Sequence, residues 1–188
     1  MSDIKTSPRM EIKGLYAGSF DPVTIAHVSI AERAARRLDW LYMAVADNPA
    51  KEAEFSPEER FDFVKASIGH ITNAEAIVIK DGLTVDHARK LGASVLVRGA
   101  RSVTDFLDEI ALYKQNLFVQ DAVGIDSESD GFVDTQTYYT LPNQDHIASS
   151  LVRGLINLPG DFDRAKIIQD LVPAPVYDAI LVRLQPSK

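Results

Sequence analysis

The 188-residue sequence contains no cysteine, which excludes disulfide bonds, thiolate metal sites and cysteine nucleophiles. Its four histidines are too far apart for a zinc site of the usual ligand spacing. Lysine and arginine total 20 against 27 aspartates and glutamates, which gives a net charge of −7. A chain this acidic has no general attraction for nucleic acid or anionic membranes. An anionic substrate would therefore need a local cluster of positive groups.

The sequence also lacks an apolar run of transmembrane length and a signal peptide. Hydrophobic residues make up 46% of the chain and charged residues 25%, as in ordinary globular proteins. We expect one domain over residues 1–188, in which residues 1–10 form a loose polar tail. A cytoplasmic protein without a nucleic acid or membrane partner is predicted.

Segments with the patterns of strands and helices alternate along the chain. The strands are predicted at Ile12–Gly18, Leu41–Ala46, Ala76–Lys80, Ser94–Val97 and Thr135–Leu141. Helices are predicted at Thr24–Leu38, Val103–Phe118, Ser149–Asn157 and Val176–Leu184. A further helix is predicted to start at a capping box of Ser56 and Glu59, and a short one to be capped by Thr84 and to stop at Gly92. This alternation predicts an α/β fold: a doubly wound, Rossmann-like, parallel five-stranded sheet with helices on both faces.

The segment Asp121–Asp134 interrupts that alternation with five acidic residues, two glycines and little periodicity. We interpret it as a solvated surface loop, because loops tolerate insertions. The alternative is an acidic contact for a partner protein.

The first motif, GSFDPVTIAH, lies where the first strand ends and the first helix begins. In an open parallel sheet this crevice binds ligands, and free amides at a helix start favour an anion. We expect Gly18 to allow close approach of a phosphate, Ser19 to offer a hydroxyl, and His27 to direct a ring nitrogen at the same anion. In the alternative interpretation Asp21 and Pro22 form only a turn and His27 is a capping or core residue.

The second motif, VRGARSVTDFLDE, again joins a strand to a helix and has two arginines beside a glycine. Arginine forks match phosphate oxygens, and we expect Gly99 to let both Arg98 and Arg101 turn toward one ligand. Asp105 is expected to hold one of the arginines in place. The alternative is that both arginines are solvated surface residues.

Two weaker elements complete the pattern. Lys51 follows the second strand and could bring a positive charge to a phosphate at the same edge of the sheet. Ser149 and Ser150 open a predicted helix and could offer hydroxyls and amides to an anion, although a plain helix cap fits equally well. A Walker loop and the G-x-G-x-x-G of dinucleotide-binding proteins are both absent from the sequence.

In this order the motifs resemble those of the bacterial phosphopantetheine adenylyltransferases, a family of the T/H-x-G-H nucleotidyltransferase superfamily. The resemblance extends from about Lys13 to Leu184 and includes IASSLVR near the carboxyl end. It implies transfer of the adenylyl group of ATP to 4′-phosphopantetheine, which gives dephospho-coenzyme A and pyrophosphate. It also implies Mg²⁺ as cofactor and assembly as a homohexamer.

The resemblance assigns roles to individual residues. The catalytic residues would be His27, Lys51 and Ser19. The acceptor would be bound by Ser19, Lys51, Thr84, Arg98 and Asn116. ATP would be bound by Ser19, Phe20, His27, Gly99, Ala100, Arg101, Glu109, Gln144, Asp145, His146, Ile147, Ala148, Ser149 and Ser150. No protein ligand to a metal is implied.

The chain departs from the family pattern in three places. Ala26 stands where the family has glycine, Ala148 replaces a serine, and the acidic stretch around Gly124–Gly131 looks inserted. These departures keep two other functions open. One is adenylyl or cytidylyl transfer to another phosphorylated acceptor, such as nicotinate mononucleotide. The other is a regulatory protein that binds a nucleotide without turnover.

Overall fold

A parallel sheet forms the centre of the computed structural model, which describes residues 10–47, 52–128, 131–159 and 163–184. Its strands are β1 (Lys13–Gly18), β2 (Trp40–Asp47), β3 (Ala74–Lys80), β4 (Val95–Ala100) and β5 (Asp134–Tyr139). They lie in the order β3-β2-β1-β4-β5, and each strand is parallel to its neighbours. The predicted doubly wound sheet is confirmed, and its strand order reverses between β1 and β4.

Helices cover both faces of the sheet. They are α1 (Ile25–Ala35), α2 (Pro57–Ile68), α3 (Thr84–Lys90), α4 (Val103–Ala122), α5 (Ser149–Asn157), α6 (Arg164–Gln169) and α7 (Ala174–Leu184). Buried residues of α1, α2, α5, α6 and α7 form the larger core with one face of the sheet. The other face packs against α3 and one turn of α4. Within the described ranges, no helix is both long and apolar enough to cross a membrane.

Several predicted element boundaries differ from the observed ones, by one to four residues, and one helix was missed. Strand β4 continues three residues past Val97, because its pairing with β5 extends to Ala100 opposite Tyr139. Helix α4 continues four residues past Phe118, because the first residue with positive φ beyond it is Gly124. Helix α6 was not predicted, since six residues are too few for a recognisable helical period.

The sequence predicts particular capping residues at the starts of α2 and α3, and the structure bears out one of the two predictions. At the start of α2, the Glu59 amide donates to the Ser56 hydroxyl at 3.2 Å, and the Ser56 amide donates to the Glu59 carboxylate at 2.8 Å. This is the capping box that the sequence predicts. The prediction that Thr84 caps α3 is wrong, because Leu83 occupies the cap position and Thr84 is the first helical residue. Gly92 follows α3 with a φ of +66°, as expected at a helix end.

The acidic segment is anchored at both of its ends by one buried side chain. The Gln120 amide, 1% exposed, accepts from the backbone N–H of Val133 at 2.7 Å and donates to its carbonyl oxygen at 3.0 Å. Between these ends the described carboxylates are exposed: those of Asp121, Asp126, Glu128 and Asp134. This supports the surface-loop interpretation, although the loop begins after α4 and not at Asp121.

Candidate functional site

A cavity of about 400 Å³ lies at the carboxyl ends of β1 and β4, where the strand order reverses. Open α/β sheets bind ligands at this position, and the volume suits a small-molecule ligand. A second cavity of about 200 Å³ shares several of its walls and adds Phe20 and Arg98. The predicted site residues that line the larger cavity are Ser19, His27, Gly99, Ala100, Arg101, Glu109, Ile147, Ala148, Ser149 and Ser150.

His27 lies in the first turn of α1 and is held there by a fully buried threonine. The backbone N–H of Thr24 donates to Nδ1 of His27 at 3.0 Å, and the Thr24 hydroxyl lies 2.9 Å from the same nitrogen. Because Nδ1 accepts, the neutral ring carries its proton on Nε2. The Phe20 ring packs edge-on against the imidazole, with 5.2 Å between ring centroids. His27 thus caps the helix through one nitrogen and has one N–H donor left for a ligand.

The surroundings of His27 also determine its charge. Burial, and to a smaller extent the positive charge of Arg101, lower the pKa of the imidazole to about 4. The ring is therefore neutral at pH 7. It can donate a hydrogen bond to a phosphate oxygen, but it brings no positive charge of its own.

Two backbone amides at the start of α1 are hydrogen-bonded within the protein and are not available to a ligand. The Thr24 amide is occupied by His27, and the Ile25 amide donates to the Leu171 carbonyl oxygen at 3.1 Å. The expectation of free amides at this helix start is therefore wrong for these two groups. A Cβ atom at Gly18 would lie 3.1 Å from the Phe20 ring, so this glycine makes room for that ring. Ser19 is exposed and lines both cavities.

The two arginines of the second motif have different environments. Arg98 is half-buried and donates through Nε and Nη2 to the carboxylate of Glu109, at 2.6 and 3.0 Å. Arg101 is exposed, and its Nε donates to Asp105 at 3.2 Å. The expectation that Asp105 holds an arginine is confirmed. Glu109 was predicted on the ATP side, and its carboxylate is occupied by Arg98.

Gly99 has a different role from the predicted one. It lies within β4, where an added Cβ would come 2.7 Å from the Ile30 side chain and 3.3 Å from the Tyr16 hydroxyl oxygen. The glycine therefore lets β4 approach α1 closely. The idea that it frees both neighbouring arginines to turn toward one ligand is not supported by its extended position in the strand.

Helix α5 directs its amino end at the larger cavity. Ala148 is its cap residue and has no hydroxyl, and Ser149 donates its hydroxyl to the Pro22 carbonyl oxygen at 2.8 Å. The Ser149 side chain thus fastens α5 to the β1–α1 connection, so it is not the free donor that the sequence suggested. Ser150 is exposed to the cavity. The first-turn amides of such a helix, with its dipole, favour an anion.

Other predicted site residues do not line either cavity. Asp145 and His146 are exposed, and an Asp145 carboxylate oxygen lies 3.5 Å from Nδ1 of His146. The remaining ones are Gln144 in the preceding turn, Thr84 at the start of α3 and Asn116 on α4. Lys51 is outside the described residues. The roles assigned to these residues stay predictions.

Several lining residues were not selected from the sequence: Tyr16, Ala26, Ile30, Asp108, Thr140 and Arg153. Arg153 could have been found, because it follows Ser149 by one helical turn and so lies on the same face of α5. Its Nη1 donates to the Asp21 carbonyl oxygen and lies 3.6 Å from the Asp21 carboxylate. Tyr16 reads as an ordinary core residue, and burial raises the pKa of its hydroxyl. Such placements depend on the tertiary fold.

A buried arginine and a buried aspartate fix the loop before α2 beside the cavity. The Arg60 guanidinium, on a residue 2% exposed, donates to the carbonyl oxygens of Ser19, Ala46 and Phe55 at 2.8, 3.2 and 3.1 Å. The Asp21 carboxylate accepts from the backbone N–H groups of residues 54 and 55 at 3.0 and 2.9 Å. The ends of β1 and β2 are thereby joined to the start of α2.

Comparisons with known proteins find similar sequences over most of the chain. A family model described as "Cytidylyltransferase-like" matches residues 15–155. The phosphopantetheine adenylyltransferase of Lachnoclostridium phytofermentans is 33% identical over 165 residues, covering 88% of this chain and 93% of the relative. The phosphopantetheine adenylyltransferase of Dehalococcoides mccartyi strain BAV1 is 37% identical over 147 residues, covering 78% and 86%.

Solved structures show the same fold at lower sequence identity. The nicotinic acid mononucleotide adenylyltransferase of Plasmodium falciparum, complexed with NaAD, aligns with a TM-score of 0.61 at 15% identity. The alignment covers 93% of this chain and 96% of that protein. At this identity the likeness concerns the fold alone.

We expect the His27 imidazole to titrate far below the ordinary histidine range. Burial and the Arg101 charge disfavour the protonated ring, so its pKa is shifted down from 6.5 to about 4. A ¹H–¹³C NMR titration of the ligand-free protein should give a midpoint near 4 for this ring. A midpoint close to 6.5 would show that the ring is solvated and contradict the neutral donor.

Proposed function

The chain belongs to the cytidylyltransferase-like family and, within it, to the phosphopantetheine adenylyltransferases, and we propose on that premise that it adenylylates 4′-phosphopantetheine. ATP would supply the adenylyl group, and the products would be dephospho-coenzyme A and pyrophosphate. The observation that carries this proposal is the convergence of His27, Arg101 and the amino end of α5 on one cavity at the β1–β4 reversal. Three anion-binding groups in an acidic chain favour a polyphosphate substrate there.

The proposed reaction is a direct in-line displacement at the α-phosphorus of ATP. A phosphate oxygen of the acceptor attacks, the bond to the bridging oxygen of the β-phosphate breaks, and pyrophosphate leaves with that electron pair. The protein would contribute positioning and charge stabilisation, as in other phosphoryl transfers. A covalent enzyme intermediate is not required.

In this mechanism His27 stabilises the charge that develops on the transferring group. Its Nδ1 is fixed by Thr24, so the Nε2–H group is held in one orientation before the substrate arrives. A preorganised donor needs no reorganisation during the reaction. Arg101 and the first-turn amides of α5 would hold the ATP phosphates. Ser19 and Lys51 would contact the acceptor phosphate and the α-phosphate.

The Arg98–Glu109 ion pair limits how Arg98 could bind the phosphate of an acceptor. Two donors of Arg98 are engaged by the carboxylate, which fixes the orientation of the guanidinium plane beside the smaller cavity. An acceptor phosphate would bind the remaining side of the fork or replace Glu109. We therefore assign Arg98 to the acceptor and Arg101 to ATP, with Thr84 and Asn116 proposed nearer the pantetheine arm.

We propose that Mg²⁺ enters as the complex Mg·ATP. Among the described residues, no three histidine or acidic side chains are grouped closely enough to hold a metal ion. Asp105 and Glu109 line the larger cavity but are each paired with an arginine. Mg²⁺ commonly takes its ligands from substrate phosphates and water, which suits this lining, and it would neutralise phosphate charge.

The second candidate reaction is adenylyl transfer to nicotinate mononucleotide. The fold of the solved nicotinate-nucleotide enzymes favours it, but their identity to this chain is only 13–15%. The curated phosphopantetheine adenylyltransferases are 32–37% identical over most of the chain. A regulatory protein without turnover is favoured by the acidic insert and by Ala26 and Ala148, which both line the cavity.

Self-association into a homohexamer in the cytoplasm is also proposed for this chain. An exposed apolar stripe on α4 supports association: Val103, Leu107 and Phe118 are 76%, 59% and 73% exposed. Their spacing places them along one side of the helix. A contact between subunits would remove this stripe from water.

The acceptor is tested by measuring pyrophosphate release from Mg·ATP with each candidate. We expect kcat/KM for 4′-phosphopantetheine to exceed that for nicotinate mononucleotide by about a hundredfold or more, because a site built for polar groups of one acceptor rejects another strongly. Faster turnover of nicotinate mononucleotide would make the acceptor assignment wrong. ATP binding without pyrophosphate release from either acceptor would indicate the regulatory alternative.

We expect His27→Ala to lower kcat by roughly a hundredfold or more while the Kd for ATP changes by no more than about threefold. Stopped-flow turnover and calorimetric ATP binding measure the two effects. The variant also removes the acceptor of the buried Thr24 N–H, so it should unfold at a lower temperature. His27→Gln can restore that cap, since glutamine is common at this position of a capping box.

The matched control is His70→Gln, since His70 is exposed and contacts Glu32 away from the cavity. It should keep the parent kcat. Nearly normal turnover in His27→Ala would contradict the catalytic role. A loss of kcat that follows thermal stability through both His27 variants would assign this histidine to helix capping alone.

A further inference from the structure

A second positively charged pocket lies at the carboxyl end of α1, against β5. Arg33, Arg36 and Arg37 form one side of it, and the other side is formed by residues 137–139 of the strand. Its volume is about 560 Å³. It shares no lining residue with the cavity of about 400 Å³ at the ends of β1 and β4. A ligand in this pocket would therefore be separate from the proposed ATP site.

The positive charges of this arginine pocket are not neutralised by carboxylates among the residues that the structure describes. Within the described ranges, none of its three arginines forms an ion pair with a carboxylate. Arg36 and Arg37 are exposed. The three guanidinium groups lie within five residues of a chain whose net charge is −7. They create a local positive potential that attracts anions.

One of the three arginines is held in place by the strand. The Arg33 guanidinium donates to the Tyr139 carbonyl oxygen and lies 5.6 Å from the centre of the Tyr138 ring. The Tyr138 hydroxyl in turn donates to Gln136 at 3.1 Å. A guanidinium fixed by a carbonyl and an aromatic ring loses less conformational entropy when a ligand binds.

Basic residues at a helix end can also serve only to complement the helix dipole. Helix α3 provides the comparison within this protein, because Arg89 and Lys90 are adjacent, exposed and in its last turn. Arg36 and Arg37 directly follow α1, so both pairs lie near a helix end, but Arg89 and Lys90 do not line the arginine pocket. The distinguishing features of the α1 cluster are the third arginine, its fixed orientation and the enclosing strand.

We propose that the arginine pocket binds a small anion carrying at least two phosphate groups. Each guanidinium presents a planar set of donors that matches two oxygens of a phosphate. Three guanidinium groups exceed what one phosphate needs, and the pocket is large enough for a diphosphate group.

The test is calorimetric titration with pyrophosphate in an Arg101→Ala background, which weakens anion binding in the catalytic cavity. We expect Arg36→Ala/Arg37→Ala to weaken the remaining binding by about tenfold or more, because two charge-assisted contacts are lost. Arg89→Ala/Lys90→Ala removes the same charge and should change the affinity by less than about twofold. Circular dichroism checks that the variants are folded, as expected for exposed side chains.

Equal weakening by both double variants would mean that net charge alone attracts pyrophosphate and would overturn the proposal. Unchanged binding in Arg36→Ala/Arg37→Ala would overturn it as well. Arg36→Lys/Arg37→Lys keeps the charge and should bind less tightly than the parent, because the planar fork is lost. The proposal does not depend on adenylyl transfer, since the acceptor assay reports on the other cavity.

Discussion

The catalytic end of the sheet depends on one buried guanidinium, that of Arg60. It joins three carbonyl oxygens from separate parts of the chain: Ser19 after β1, Ala46 in β2 and Phe55 before α2. A buried charged group is costly unless its donors are satisfied, so this geometry tolerates little displacement. Ser19 is exposed and lines the cavity. Its backbone is held there because its carbonyl oxygen accepts from Arg60. Loss of Arg60 would release both strand ends together.

Many polar groups around the cavity are already bound to another part of the protein. His27 accepts from Thr24, Ser149 donates to Pro22, and Arg98 is paired with Glu109. These contacts fix the orientation of the groups that remain for a ligand, namely the imidazole Nε2–H and the amides at the start of α5. The Leu151 amide is an exception, since it donates to the Ala148 carbonyl oxygen at 3.1 Å. Preorganised donors of this kind are the main source of transition-state stabilisation in many enzymes. In the proposed reaction these donors would already be oriented before ATP binds.

The doubly wound parallel sheet and the position of the site could be predicted from the sequence, because the signals that indicate them are local. Alternating apolar segments define a doubly wound sheet, and the Ser56–Glu59 box defines the start of α2 by residues three apart. The roles of Gly99 and Ser149 could not be predicted in this way. Gly99 is required by the approach of Ile30 and Tyr16, and the Ser149 hydroxyl binds a carbonyl 127 residues earlier. Contacts between distant segments leave no spacing in the sequence to detect.

The central claim is that the acceptor attacks the α-phosphorus of ATP directly, without a covalent enzyme intermediate. The most direct measurement is the stereochemical course with adenosine 5′-O-(1-thiotriphosphate) of one configuration and 4′-phosphopantetheine. One in-line displacement inverts the configuration at the α-phosphorus, and ³¹P NMR of the resulting dephospho-coenzyme A analogue would show that inversion. Retention of configuration would require two displacements through an adenylylated protein, and it would contradict the mechanism.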